Sequence, residues 1–274
     1  MRILILGGNR FIGKKLASRL SIEGNDVTVL NRSGTGPEGC EIIKSDRDGL
    51  SKVDNDFDLV IDFCLFKPAQ AEALKTFLKP IQRYIFVSTA AAYLDDNCQF
   101  YDESMRIGGR SGFGDYGKEK AECEAIISNY NANELIVRPP YIVGNDCPRP
   151  RLRFYIHKIL SDGKCPVAGD GNALFSLVWS EDVVDTLHDM AVRPEIYLHG
   201  SAYNISSSDV YSTRTLVKEI ATFLKRPYEI IENSKDVPFL NENLITSPIK
   251  LNRTFKPIKY RLKEFCEYSR INYE

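Results

Sequence analysis

Tyr116 and Lys120 lie four residues apart in the run DYGKEKAE, so on a helix both side chains leave from one face. One such pair among 14 tyrosines is about what chance supplies, and an exposed helix pair is the bland reading. Position gives the pair its weight. Upstream, the apolar run RYIFVST (83–89) ends in the hydroxyl of Thr89. A phenol of pKa about 10 is a poor proton donor or acceptor at neutral pH unless a cation stabilises its phenolate. Lys120 offers that cation. The trio Thr89, Tyr116 and Lys120 therefore suits proton transfer at a carbonyl oxygen, with Thr89 orienting the oxygen and Tyr116 moving the proton.

A second constellation opens the chain. MRILIL runs directly into GGNRFIG (7–13). Glycines between a strand and a helix permit a tight turn and a close approach to a pyrophosphate, which the helix N-terminus then attracts. Gly7, Gly8, Asn9, Arg10, Phe11, Ile12 and Gly13 are the expected cradle, with Gly13 allowing close helix–strand packing. The middle glycine of the usual spacing is Arg10. The second strand, DVTVL, closes on Asn31 and Arg32, with no acid to take a ribose 2′-hydroxyl. Arg32 reads either as a solvated loop residue or as a ligand for a 2′-phosphate. With Arg10 beside the phosphates, the pair favours NADP(H), with NAD(H) as the other possibility. Asp46, after the third strand, is placed to reach an adenine amino group.

The elements that must hold these groups follow from hydrophobic patterning. Apolar runs at 2–6, 26–30, 41–44, 58–63, 83–89 and 134–140 alternate with helical stretches, including one from Phe11 and others at 68–79 and 115–130. Such alternation specifies an α/β fold with a doubly wound parallel sheet of the Rossmann kind. After Gly144 comes a basic, proline-rich segment that turns helical, then a strand at 175–179. Next are a helix opened by Ser180 with Glu181 and Asp182 in its first turn, a strand at 203–206, and an amphipathic helix over 212–226. The remainder reads as a small mixed α/β C-terminal lobe. We expect a dinucleotide-binding domain at 1–145, to which 175–210 returns, and a mainly substrate-binding lobe at 146–274.

The 274 residues carry a net charge of −1, which gives no electrostatic case for a nucleic-acid surface, and 43% hydrophobic residues, enough for a core. Seven scattered cysteines without a CxxC pair suit reduced thiols, and the histidines at 157, 188 and 199 have no metal-ligand spacing. No apolar run reaches the length of a membrane span or a secretory h-region. The expectation is a soluble, cytoplasmic protein without a metal site.

With the glycine loop, Thr89, Tyr116 and Lys120 placed, the chain resembles the extended short-chain dehydrogenase/reductase superfamily. Within it, the chain is similar to the NAD-dependent epimerase/dehydratase proteins that act on nucleotide sugars. The resemblance spans roughly residues 1–210, including RPPYIVG (138–144) and LVWSEDVV (177–184). It implies that Thr89, Tyr116 and Lys120 carry catalysis, that Lys120 also binds the nicotinamide ribose, and that the protein forms a homodimer. Three positions depart from the pattern. Arg10 replaces a glycine, a variant shared with relatives that include RNA-associated chloroplast proteins. Ala90 and Ala91 follow Thr89 where 4,6-dehydratases carry Asp-Glu, which argues against dehydration. Tyr141 stands where many relatives place a sugar-binding asparagine.

Arg149, Arg151 and Arg153 offer bidentate contacts to a substrate diphosphate, against the alternative of a solvated loop; Tyr141 joins them as a candidate substrate residue. Trp179 is assigned to the core. The reading these residues favour is NADPH-dependent reduction of a keto group, at C4, on a nucleotide-activated deoxysugar. Its rivals are a nucleotide-sugar 4-epimerase with tightly bound NAD, and a non-catalytic cofactor- or RNA-binding member of the same fold.

Overall fold

The computed structural model describes residues 1–53, 56–78, 81–95, 98–129 and 133–271. Seven parallel strands form the central sheet: β1 (Arg2–Leu6), β2 (Asp26–Asn31), β3 (Glu41–Lys44), β4 (Leu59–Asp62), β5 (Arg83–Val87), β6 (Glu134–Arg138) and, after two strands of another sheet, β9 (Ser201–Asn204). Their order is β9-β6-β5-β4-β1-β2-β3, so the direction of winding reverses between β1 and β4. In register, Leu6 faces both Leu30 and Asp62. The carboxyl ends of these strands therefore open a crevice at the switch point, where such sheets bind ligands.

Alternation along the strands builds two cores. Ile3, Ile5, Val29, Ile61 and Ile85 point to one face, against α1 (Phe11–Ile22) and α5 (Ser180–Val192). Leu4, Leu6, Val60 and Phe86 point to the other, against α2 (Pro68–Leu78) and α3 (Asp115–Ser128). Helices α1 and α5 are also tied by a ladder of pairs: Lys15–Glu181 at 2.6 Å, Arg19–Asp185 at 2.7 Å and Glu23–His188 at 2.5 Å. Positions 79 and 130, the expected ends of two helices, lie outside the described residues.

A second sheet, β10-β8-β7, comprises β7 (Tyr141–Val143), β8 (Leu174–Trp179) and β10 (Val210–Ser212). Helices α4 (Arg151–Ser161), α6 (Thr213–Leu224) and α7 (Ile258–Ile271) pack on it around Tyr155, Phe175, Trp179, Phe239 and Phe265. The 175–179 strand rejoins residues of the 1–145 segment through β7 and places Val178 in the main core, but it does so in the second sheet and not in the central one. It pairs with β7 and β10, while α5 and β9 on either side of 193–200 rejoin the main sheet. Local patterning identifies a strand but not its neighbour, because the partners of β8 come from distant parts of the chain. The strand expected at 83–89 stops at Val87, and Thr89 instead caps a short 3-10 turn, Ala90–Ala92. Among the described residues the seven cysteines form no disulfide, and no helix is long and apolar enough to cross a membrane.

Candidate active site

The crevice is a cleft of about 1160 Å³. Its nucleotide end is built around the first turn of α1. Gly7 has φ +86°, a left-handed conformation that favours glycine. A Cβ on Gly13 would stand 2.9 Å from the Gly7 carbonyl and from the Gly8 Cα, so only glycine lets α1 start this close to the loop. The first-turn N–H groups of α1 have no intrahelical acceptor and suit an anion there. Phe11 is also left-handed, at φ +48°, which for a bulky side chain costs roughly 1–2 kcal/mol and marks a loop held in one shape. Gly8 differs from its expected role: it does not line the cleft but lies on Ile5 and Val29, where a Cβ would clash. Asn9 donates to Ser33 Oγ at 2.9 Å, fastening the loop to the end of β2.

Asn31 has a structural duty. Its carboxamide oxygen accepts from Ser33 N, Ser33 Oγ and Gly34 N at 3.0, 2.6 and 3.0 Å, and its amide donates to Thr35 O at 2.8 Å. It therefore shapes the turn that presents Arg32. Arg10 and Arg32 are exposed and both line the cleft. Asp46 lines it too, and its carboxylate accepts from Gly49 N at 3.3 Å, capping the turn after β3.

Beneath this end lies a group the sequence did not single out. Asp62, fully buried at the end of β4, accepts from Arg47 Nη1, Cys64 N and Tyr84 OH, each at 2.9 Å, and Arg47 Nη2 is 2.9 Å from its second oxygen. Burial works against the ionised Asp62, but Arg47 more than offsets it and holds the carboxyl below the ordinary range. Arg47 and Cys64 both line the cleft. Burial pushes the Cys64 thiol up to about 12, so it is no nucleophile at neutral pH. A lone acid closing the apolar run LVID was the available signal, but only the fold names its partner.

At the catalytic end, β5 delivers Thr89 and α3 delivers Tyr116 and Lys120, and all three line the cleft. The Thr89 side chain bears on the Tyr116 phenol and accepts from Ala91 N at 3.2 Å. Gly117 explains how α3 comes so near: a Cβ there would run into the Ala91 carbonyl. Packing around a ring that stays 41% exposed raises the Tyr116 phenol, while Thr89, Arg149 and Arg151 pull the other way. The charges that bear on the phenol are thus those arginines. Lys120, the expected source, is anchored elsewhere. It is 1% exposed, donates to Leu65 O at 2.9 Å and Val87 O at 2.8 Å, and sits 4.2 Å from the Phe86 ring centre. Burial pulls its ammonium down to about 8, partly opposed by Asp62 and Glu124. Its third N–H remains for a ligand.

Neighbouring Ser88 donates to Glu124, which also takes Arg138 at 2.6 Å, a buried brace joining β5, α3 and β6 that sequence reasoning missed. Of the substrate candidates, Arg149 and Arg151 line the cleft, with Arg151 5.1 Å over the Tyr141 ring. Tyr141 is a buried wall whose hydroxyl accepts from Leu240 N at 3.3 Å. Arg153 does not join them: it donates to Asn145 O at 3.1 Å and lies 5.8 Å over Phe265, outside the cleft, because α4 turns it to the far side.

A comparison with protein families matches residues 68–206 to the NAD-dependent epimerase/dehydratase family. The chain belongs to that family. Thr89, Tyr116 and Lys120 line the same cleft as Gly7 and Gly13 of the glycine-rich loop. Among solved structures it is similar to UDP-glucose 4-epimerase from Thermotoga maritima, with TM-score 0.81, 18% identity and full coverage of both chains. It is also similar to dTDP-glucose 4,6-dehydratase from Bacillus anthracis, with TM-score 0.77, 17% identity and coverage of 99% of this chain and 97% of that one. These likenesses establish the Rossmann-like α/β fold, a parallel central sheet flanked by helices. A curated relative, the chloroplast stem-loop binding protein of 41 kDa b from Arabidopsis thaliana, is 26% identical over 204 residues, covering 66% of this chain. The family member spans about half of that relative's length, 53%.

Proposed function

We propose that the protein reduces a keto group, at C4, on a nucleotide-activated sugar with NADPH. The observation that carries this reading is the juxtaposition, across one cleft, of the Thr89–Tyr116 pair with a glycine cradle that a Cβ at position 13 would fill. Gly7, Gly13 and the first turn of α1 would hold the pyrophosphate, and Lys120's free N–H the nicotinamide ribose. Arg32, presented by the Asn31 turn at the end of an acid-free strand, would take the 2′-phosphate, with Arg10 beside it. When bound, the nicotinamide would supply the hydride, hydrogen and electron pair together, that the sugar carbon receives.

The chain's own residues do the rest. Thr89 orients the carbonyl oxygen, and Tyr116 gives it a proton as charge builds there. Arg149 and Arg151 favour the phenolate left behind and hold the substrate's diphosphate. The protein half bearing β1–β6 serves the cofactor, and the lobe bearing α4, α6 and α7 serves the substrate.

Calorimetric titration of the nucleotide-free protein with NADPH and NADH tests this. The expected result is tighter NADPH binding, weakened about ten- to a hundredfold in Arg32→Ala, as loss of a charged hydrogen bond would give. Tyr116→Phe should cut turnover by about 10²–10⁴-fold while leaving cofactor affinity unchanged. A preference for NADH, with NAD carried through purification, would instead support a 4-epimerase, the activity named for one of the similar solved structures. Cofactor binding without turnover of any nucleotide sugar would support a non-catalytic role, in line with the name of the chloroplast relative.

A further inference from the structure

We infer that Glu124, buried outside the cleft, is a positioning residue: it fixes the height of α3 against the end of β5 and so brings the Tyr116 phenol to Thr89. The inference rests on the acid–base role proposed for Tyr116 above and names a residue on which that role depends. Tyr116, Lys120 and Glu124 are spaced by four, so they form one stripe along α3. Three consecutive positions at the end of β5 receive that stripe. Lys120 Nζ donates to Val87 O at 2.8 Å, Ser88 Oγ donates to Glu124, and the Thr89 side chain bears on Tyr116.

The middle contact is the best anchored of the three. Val87 pairs with Val137 in the sheet, and Ser88 N donates to Val137 O at 2.8 Å, so Ser88 and Arg138 stand side by side one step further on. Glu124 closes on both. Its Oε1 takes the Ser88 hydroxyl, and its Oε2 takes Arg138 Nε at 3.0 Å and Nη2 at 2.6 Å. Glu124 is 1% exposed and Arg138 is 6% exposed, so water does not stand in for either partner. A buried, two-pronged ion pair has one good geometry and acts as a pin.

The other two contacts lack that constraint. Lys120 divides its ammonium between the Leu65 and Val87 carbonyls, and a rotatable ammonium follows small shifts. The Tyr116 ring is half-exposed in the first turn of α3. Interlocking side chains do not set the height there either. The helix meets the Ala90–Ala92 turn through Gly117, with no side chain between Gly117 and the Ala91 carbonyl. The pin, eight residues or about 12 Å along the axis from Tyr116, therefore decides where the phenol stands.

The test uses the full chain with NADPH and a nucleotide-activated 4-keto sugar. Ser88→Ala removes the pin's contact to β5 and keeps the ion pair. The paired change Glu124→Leu with Arg138→Met removes the pin without leaving a buried charge alone. Each variant should lose roughly ten- to a hundredfold in kcat, about the effect of a 1 Å misplacement, while KM and calorimetric NADPH affinity stay within about twofold. Combining the two should add little, because both remove the same contact. Ser88→Thr keeps the hydroxyl and should restore most of the rate. Crystal structures of the variants should show the Tyr116 phenol displaced from Thr89 by about 0.5–1 Å, a readout independent of turnover. An unchanged Tyr116–Thr89 separation overturns the positioning role, and so do losses that multiply in the combined variant. Wild-type protein that binds NADPH but turns over no keto sugar overturns the keto-sugar reading, and the crystal separations still decide the role of Glu124.

Discussion

Replacing Lys120 by methionine should change how stability responds to alkaline pH, by an amount that follows from where the ammonium sits. In the folded protein burial pulls its pKa down to about 8, against 10.5 for the free side chain. The folded chain therefore releases this proton first as pH rises. Between about 8 and 10.5 the unfolded state holds more protons, so stability rises with pH across that window. At about 1.4 kcal/mol per pH unit, the buried charge costs about 3 kcal/mol at neutral pH, and most of that cost is gone by about pH 10. Methionine fills a similar volume without a charge, so the other groups that titrate at alkaline pH largely cancel in the comparison. Urea unfolding of both proteins at about pH 7 and about pH 10 should show wild type gaining about 2–3 kcal/mol relative to Lys120→Met. Saturating NADPH should reduce that gain, because an acceptor on the third N–H favours the charged form. A difference between the proteins that stays within about 0.5 kcal/mol across the range would refute the assignment of a desolvated, titrating lysine at this position.

Three further outcomes are expected. Asp62→Asn leaves Arg47 buried without its counter-charge and should cost roughly 3–5 kcal/mol in urea unfolding, whereas the paired change Asp62→Leu with Arg47→Met should cost much less. Gly13→Ala drives a Cβ into the Gly7 carbonyl and should weaken NADPH binding about a hundredfold or more by calorimetry, while circular dichroism reports an intact fold. The hydrogen bond from His188 holds the Glu23 carboxyl below its ordinary value, so its contribution is present above about pH 4.5 and lost as pH falls through the lower folded value. Glu23→Gln should cost under about 1 kcal/mol at neutral pH, as expected for a half-exposed pair, and progressively less as pH falls below about 4.5 by the same unfolding assay.

Local pattern made the Rossmann sheet and the glycine loop readable, because both depend on neighbours in sequence. β1 and GGNRFIG form one continuous signal, and so does the alternation of apolar strands with helices. Thr89 and Tyr116 were legible because a strand end and a helix start announce themselves. The rest depended on contacts between distant segments. Arg47 in SDRD looks like any solvated loop residue until Asp62 is brought beneath it. Asn31 occupies the position of a ribose ligand, yet its hydrogen bonds return to its own turn. Arg149, Arg151 and Arg153 looked equivalent in a row; the helical turn of α4 separates Arg153 from the other two. Leu244 has no local mark, since it lines the cleft only because the segment around it pairs with Leu174 and Ser176.

The order of strands also bears on how the chain is made. β6 is buried along its full length, yet one flank is covered only when β9 arrives, after α4, β8 and α5 have been synthesised. Until then ELIVR is an apolar sheet edge with unpaired backbone, the kind of edge on which other chains add. Closing a loop of that length is entropically costly and slow compared with the short crossovers of β1–β5. The half bearing β1–β5 can therefore assemble early in synthesis. The aggregation hazard is confined to the interval before Ser201–Asn204 docks, and a ligand that stabilises the early half would hold that edge in register to receive it.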